Sequence, residues 1–277
     1  IPGSYVSKLG LIGFAFIISL KKYEQNIILH SIYLSSILLV SYVSGERMAF
    51  ATFLLSLLML FIFLDGYRKS IFLSIVLGLF FIFLAVYLHP FYNDFKIVES
   101  TQYHQGQKIE KFFECEEDHK KICSKIINIQ PSFFEIIKNF STSAYGEIYL
   151  LSYKMFLDNP ITGIGINNFK YLCNQNEQYS NMMINYECAS HPHNIYIQWL
   201  AEGGIIVFMF FLIYLISLVT FIIKNIGDKK YKIISLIIIL MMFWPIMSTG
   251  SLIKNWYGVI TFFIIGICMC LSKFKNN

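Results

Sequence analysis

The run Ser190-His191-Pro192-His193-Asn194-Ile195-Tyr196-Ile197-Gln198-Trp199-Leu200-Ala201-Glu202-Gly203-Gly204 passes directly into a long apolar stretch, 204–223. Two imidazoles, a helix-starting Asn and a polar stripe therefore stand at the mouth of a segment fit to cross a bilayer. Asn194, Gln198 and Glu202 recur at i, i+4 and i+8, which predicts one shared face of a helix beginning near Asn194. His193 then lies at the positive end of that helix, where an anion is favoured and a protonated imidazole is not. A neutral imidazole beside a site for phosphate is what a general base acting on a phosphorylated substrate requires. The plainer alternative is an interfacial turn, in which Pro192 and Asn194 serve only to start the helix.

Working outward, the composition sets the class. Of 277 residues, 56% are hydrophobic and 17% aromatic, and only 14% are charged; the mean hydropathy is +0.58. Soluble domains carry roughly 25% charged residues, so the chain reads as a membrane protein. Apolar runs of roughly the 17–25 residues that a spanning helix needs can be placed at 5–20, 27–43, 48–64, 70–88, 204–223, 233–248 and 256–271. The predicted fold class is an all-α polytopic membrane protein with about seven transmembrane helices and one large, mainly helical outer loop. Three regions follow: helices 1–4 in 1–88, a loop or cap in 89–193, and helices 5–7 in 194–277.

Charge fixes the orientation. Between His89 and His193 there are nine Lys and no Arg against twelve Asp and Glu, a net −3, so the remainder of the +5 chain carries +8. Lys21, Lys22, Arg68, Lys69, Lys224, Lys229, Lys230, Lys232, Lys273 and Lys275 flank apolar runs on one side; Arg47 and Lys254 hold the opposite short connections. Ten against two assigns the first set to the cytoplasm and the large loop to the outer face, which in a double-membrane bacterium means the periplasm. The same distribution speaks against nucleic acid as a partner. The chain opens with Ile1-Pro2-Gly3-Ser4, without an initiating Met or signal peptide, which reads as a piece whose earlier spans are missing.

Within the loop, 131–138 reads as a short amphipathic helix entered from Pro131, and 147–157 as a second that stops before Asp158-Asn159-Pro160. Residues 141–146 form a turn-rich joint between them. Asn159-Pro160-Ile161-Thr162-Gly163-Ile164-Gly165-Ile166-Asn167-Asn168-Phe169 is a Gly-punctuated turn that can start a helix near Asn167. It lacks the strand and third glycine of a dinucleotide fingerprint, so its expected role is to fold the loop back toward the membrane. Cys115, Cys123, Cys173 and Cys188 all lie in this loop, and an oxidising compartment suggests two disulfides. Proximity favours Cys115–Cys123 and Cys173–Cys188, though three pairings are possible. No Cys-x-x-Cys is present, so no metal site is expected.

Among single residues, Arg47 in Ser44-Gly45-Glu46-Arg47 breaks the orientation trend, and its planar fork suits phosphate oxygens. The alternative is a snorkelling Arg paired with Glu46. His30 and His89 read as packed or interfacial, and His104 and His119 as solvated.

Taken together, Ser-Gly-Glu-Arg opening a span, the Asn-Pro-Ile-Thr-Gly-Ile-Gly-Ile-Asn-Asn-Phe block in the loop, and His-Pro-His-Asn-x-x-x-Gln-x-x-Ala-Glu-Gly-Gly opening the next span resemble the O-antigen ligase and polymerase superfamily, in its order. The resemblance implies an inverting glycosyltransferase of the bacterial inner membrane. It would pass a glycan from undecaprenyl diphosphate to an acceptor hydroxyl on the periplasmic side, without nucleotide sugar, cofactor or metal. The acceptor is a lipid A-core sugar in the ligase branch and a lipid-linked repeat unit in the polymerase branch; a protein Ser or Thr is a further possibility. His193 matches the family's catalytic His, with His191 the second candidate, and Arg47 matches the Arg that opens a span. Asn194 and Gln198 are expected to orient the base or the acceptor. The family's second Arg has no counterpart in the loop, where Lys154 or Lys170 is left to supply the charge as a point cation. A multispan transporter is the non-enzymatic alternative, disfavoured because the spans are nearly free of charge at their centres.

Overall fold

The computed structural model describes residues 3–88, 96–104, 107–114, 140–246, 250–253 and 255–271. The first four helices are α1 (Gly3–Ser19), α2 (Ile27–Val43), α3 (Arg47–Phe63) and α4 (Arg68–Leu88), the last preceded by a 3₁₀ turn, Asp65–Tyr67. An antiparallel hairpin follows, β1 (Lys96–His104) with β2 (Gln107–Glu114), in register from Lys96 opposite Glu114 to His104 opposite Gln107. Then come α5 (Ala144–Asp158), α6 (Phe169–Gln175), α7 (Glu177–Ser180), the long α8 (Ile195–Asn225), α9 (Lys229–Met242) and α10 (Asn255–Cys270). The helical reading therefore needs one amendment: the large loop carries a hairpin as well as helices.

Each of the seven apolar runs falls on a helix, and 27–43 coincides with α2 at both ends. The exception in length is 233–248. Helix α9 stops at Met242, because Trp244 precedes Pro245 and the residue before a proline is pushed out of the helical region. Two helices, Asp65–Leu88 and Ile195–Asn225, are long and apolar enough to cross a membrane. Shorter apolar helices cover Tyr5–Ser19, Ile27–Val43, Met48–Phe63 and Trp256–Cys270. Large apolar side chains such as Phe16, Ile28, Phe72, Phe83, Phe210 and Ile216 point outward along them.

Local chemistry sets the helix ends. Asn26 and Asp228 accept the N–H of Leu29 and Lys230 and so cap α2 and α9. Arg68 donates to the free carbonyls of Phe61 and Ile62 at the end of α3 while pairing with Asp65. The core between the helices is built from Leu11, Phe14, Leu34, Leu38, Phe53, Leu57, Ile71, Ile234 and Ile238. Gly78 lets α4 close on α2, since a Cβ there would meet the Leu38 side chain at 2.7 Å. The serines within the helices, among them Ser35, Ser41, Ser56 and Ser74, return their hydroxyls to carbonyls three residues back. As expected, His30 is packed, edge-on to Phe14 and tilted against Tyr67. The predicted helix 131–138, the Cys115–Cys123 pairing, His89 and His119 lie outside the described residues.

A second, smaller core of Ile148, Leu151, Met155, Phe169, Cys173, Tyr179 and Ala201 joins α5, α6 and α7 to the first turns of α8. This cap is what positions the site.

Candidate active site at the start of helix α8

Asn194 is the N-cap of α8. Its Oδ1 accepts the N–H of Tyr196 at 3.0 Å and of Ile197 at 3.2 Å. Its Nδ2 donates to the Pro245 carbonyl at 2.7 Å, and the Tyr196 hydroxyl donates to the Phe243 carbonyl at 2.7 Å. The turn after α9 thus holds the start of α8 at two points. Tyr149 of α5 also hydrogen bonds with Asn194, and burial still pushes its phenol above the ordinary range.

Immediately upstream, His193 adopts φ +56°, the left-handed region that side chains with a Cβ seldom occupy. That turn follows Pro192 and sets the two imidazoles together, with ring centroids 4.2 Å apart and planes at 43°. The Tyr145 ring meets His193 edge-on at 5.9 Å. His191 is 8% exposed, with Nδ1 2.9 Å from the Ser190 hydroxyl; His193 is the more open of the pair. Residues held in such conformations cluster at functional sites.

The polar stripe lies on one face, as its spacing predicts, and that face is turned inward. Gln198 Nε2 donates to Glu202 Oε2 at 2.9 Å and to Ser251 Oγ at 2.8 Å. Glu202 Oε1 accepts the Phe169 N–H at the start of α6. Asn194, Gln198 and Glu202 are all buried, so the stripe binds the chain to itself beneath the imidazoles.

One turn further, α8 breaks. Gly204 sits at φ +63°, ψ −167°, freeing two carbonyls before it and two N–H groups after it. The Asn159–Phe169 block fills the gap with its own backbone. Pro160 O and Ile161 O accept from Ile205 N and Ile206 N at 2.9 and 3.4 Å; Ile164 N and Gly165 N donate to Ala201 O and Glu202 O at 3.0 Å each. The orphaned groups of the broken helix are thereby satisfied without water. So the Gly-rich turn does fold the loop back onto the helix, and the first turns of α8 belong to the cap.

The remaining cap contacts brace the same corner. Cys173 and Cys188 form a disulfide, tying α6 to the strand of chain that leads into His191. Buried Glu147 accepts from the Asn185 backbone N–H and side-chain amide. Lys154 forms an ion pair with Asp158, whose second oxygen accepts the Tyr179 hydroxyl at 2.9 Å. The Lys154 bond holds the Asp158 carboxyl below its ordinary range, and burial together with Asp158 pushes the Tyr179 phenol up to about 12. Lys170 is exposed on α6. Arg47 is the first residue of α3, directly after its N-cap Glu46.

Sequence reasoning passed over Lys8. Its side chain is 2% exposed on α1, with Nζ 3.4 Å from the Tyr257 hydroxyl and 5.0 Å from that ring's centroid. The signal was available: it is the single cation inside the apolar run 5–20.

A family model described as O-Antigen ligase matches residues 30–212, which takes in α2 through the cap and into α8. The chain belongs to the O-antigen ligase family. No curated protein matches it. Membership in the ligase family carries O-antigen ligase- or polymerase-type glycan transfer by a membrane enzyme, with a lipid-linked glycan and an acceptor as its substrates. All three blocks described above lie inside the matched span of this ligase-family chain: Arg47 at the head of α3, the turn that plugs α8, and the paired imidazoles.

Proposed function

We propose that this chain moves a glycan from undecaprenyl diphosphate to a hydroxyl of the lipid A-core, on the periplasmic face of the bacterial inner membrane, with inversion at the anomeric carbon. In this reading α1–α4 and α8–α10 cross the bilayer, and the cap of α5–α7 stands outside it. The outward apolar side chains of these helices support that placement, because a water-facing surface of that extent is rare.

The observation that carries the chemistry is the left-handed His193, its ring set against that of His191 at the N-terminus of α8. Displacing a diphosphate from an anomeric carbon sends negative charge to the leaving group and requires a proton to be taken from the incoming hydroxyl. His193 takes that proton; a positioned base of this kind is worth ~10²–10⁴-fold in rate. His191, more buried and fixed by Ser190, orients it. Arg47 meets the diphosphate, where a well-placed charge-stabilising group is worth ~2.7–4 kcal/mol. Asn194 and Gln198 hold the helix start beneath the acceptor, and Lys170 remains available at the cap surface, whereas Lys154 is engaged by Asp158.

The test is a deletion strain, with its lipopolysaccharide resolved on a gel. Core without O-antigen supports ligation; core bearing a single repeat assigns the chain to the polymerase branch. An unchanged ladder rules out both and turns attention to a protein acceptor.

A further inference from the structure

We infer that Lys8 is a second cation for the carrier diphosphate, acting opposite Arg47 at the outer mouth of the bundle; this rests on the glycan-transfer reading above.

An ammonium carries three N–H donors, and inside a protein or bilayer it is costly unless those donors and the charge are met. Among the described residues, Lys8 Nζ has one hydrogen bond, a long one of 3.4 Å to the Tyr257 phenol, and the face of the same ring at 5.0 Å. It does not reach water by snorkelling, because the residue is 2% exposed. An ionisable side chain placed like this within an apolar helix points to a functional partner.

Lys8 lies on α1 little more than one turn from Gly3. Helices α1 and α3 pack together with α2 running back between them, so the start of α1 lies at the same end as the start of α3, where Glu46 is the N-cap and Arg47 the first residue. Tyr257 packs its ring on Gly250, where a Cβ would come within 2.8 Å. The next residue, Ser251, accepts from Gln198, one turn below the Asn194 cap that follows His193. Lys8, the Glu46–Arg47 turn and the imidazole corner therefore share one end of the bundle and one contiguous layer.

A diphosphate leaving group gathers charge on two phosphoryl groups, which one guanidinium does not cover alone. Of the loop cations, Lys154 is paired with Asp158 and Lys170 stands exposed on the cap, so Lys8 adds a charge from within the helices. Lys8 has donors to spare beyond its one long bond to Tyr257.

The experiment compares wild type, K8R and K8M in lipid nanodiscs, titrated with undecaprenyl diphosphate and assayed for donor and acceptor KM. Loss of one bond to a charged group predicts about 10- to 100-fold weaker carrier binding in K8M. Donor KM should rise in parallel and acceptor KM should stay put, with K8R retaining most of the affinity. A merely structural Lys8 would move the thermal midpoint and leave donor KM unchanged. K8Q replaces K8M if the latter does not fold. Carrier affinity in K8M or K8Q equal to wild type overturns the role of Lys8 and leaves the activity standing. Absence of carrier binding by wild type overturns the glycan-transfer reading, and this inference with it.

Discussion

A Cβ on Gly204 would stand 2.6 Å from the backbone nitrogen of Gly163, and a Cβ on Gly163 would stand 2.6 Å from the nitrogen of Gly203. The two glycines interlock, both at positive φ, where the loop backbone enters the break in α8. Substituting either with Ala costs about 1–3 kcal/mol from the backbone conformation alone, before the clash is counted. G163A and G204A should both lower the thermal midpoint and open the cap to proteolysis. G45A is the control: Gly45 has the same kind of φ, with nothing near its Cβ position, and should cost less. Equal effects at all three positions would contradict the plugged-helix account.

Asn194 carries two duties, and two variants separate them. N194A loses the cap and the bond to Pro245; the cap alone is worth about 1 kcal/mol. N194D keeps the acceptor for Tyr196 and Ile197 and loses the donor to Pro245. N194D should therefore be the more stable of the two, yet both should transfer glycan slowly, since His193 sits on this cap. Wild-type rates in N194D would mean that the tie to Pro245 does not position the base.

The Cys173–Cys188 disulfide closes a separation of 15 residues, for which chain entropy predicts about 3 kcal/mol of stabilisation. Reduction, or C173S, should loosen the segment before His191. Hydrogen exchange across 176–190 reads this directly, and unchanged protection after reduction would remove the bridge from the account.

Acid and alkali should each act on the cap through one pair. The Asp158 carboxyl is held low in the fold, so its contribution is present above the ordinary carboxylate range and fades as pH falls through its folded value. The Tyr179 phenol is held up to about 12, so its contribution is complete below about 10 and is lost as pH rises toward 12. D158N should flatten the acid limb and only soften the alkaline one, because the burial that chiefly raises the Tyr179 phenol remains. A D158N profile that follows wild type at low pH would show that other carboxylates govern the acid limb.

Much of this was legible in the sequence because it depends on local chemistry. The apolar run at 27–43 is α2 end to end, Asn194 caps as its side chain dictates, and the i, i+4, i+8 stripe shares a face. The inward direction of that stripe was not legible, because periodicity gives a face and not its partner; Ser251 lies 53 residues away. Nor was the break at Gly204, where a Gly-Gly pair inside an apolar pattern carries no mark of the distant turn that fills it. Nor was the left-handed turn at His193, which neither residue type nor spacing dictates. Lys154 followed by Asp158 at i+4 was readable as a pair, and the two do form an ion pair.

The most direct measurement of the central claim is the rate of glycan transfer by purified H193A, from a lipid-linked donor in nanodiscs, with H191A alongside. The account predicts a loss of about 10²–10⁴-fold for H193A with the thermal midpoint preserved, and a smaller loss for H191A. Transfer by H193A at the wild-type rate would contradict it.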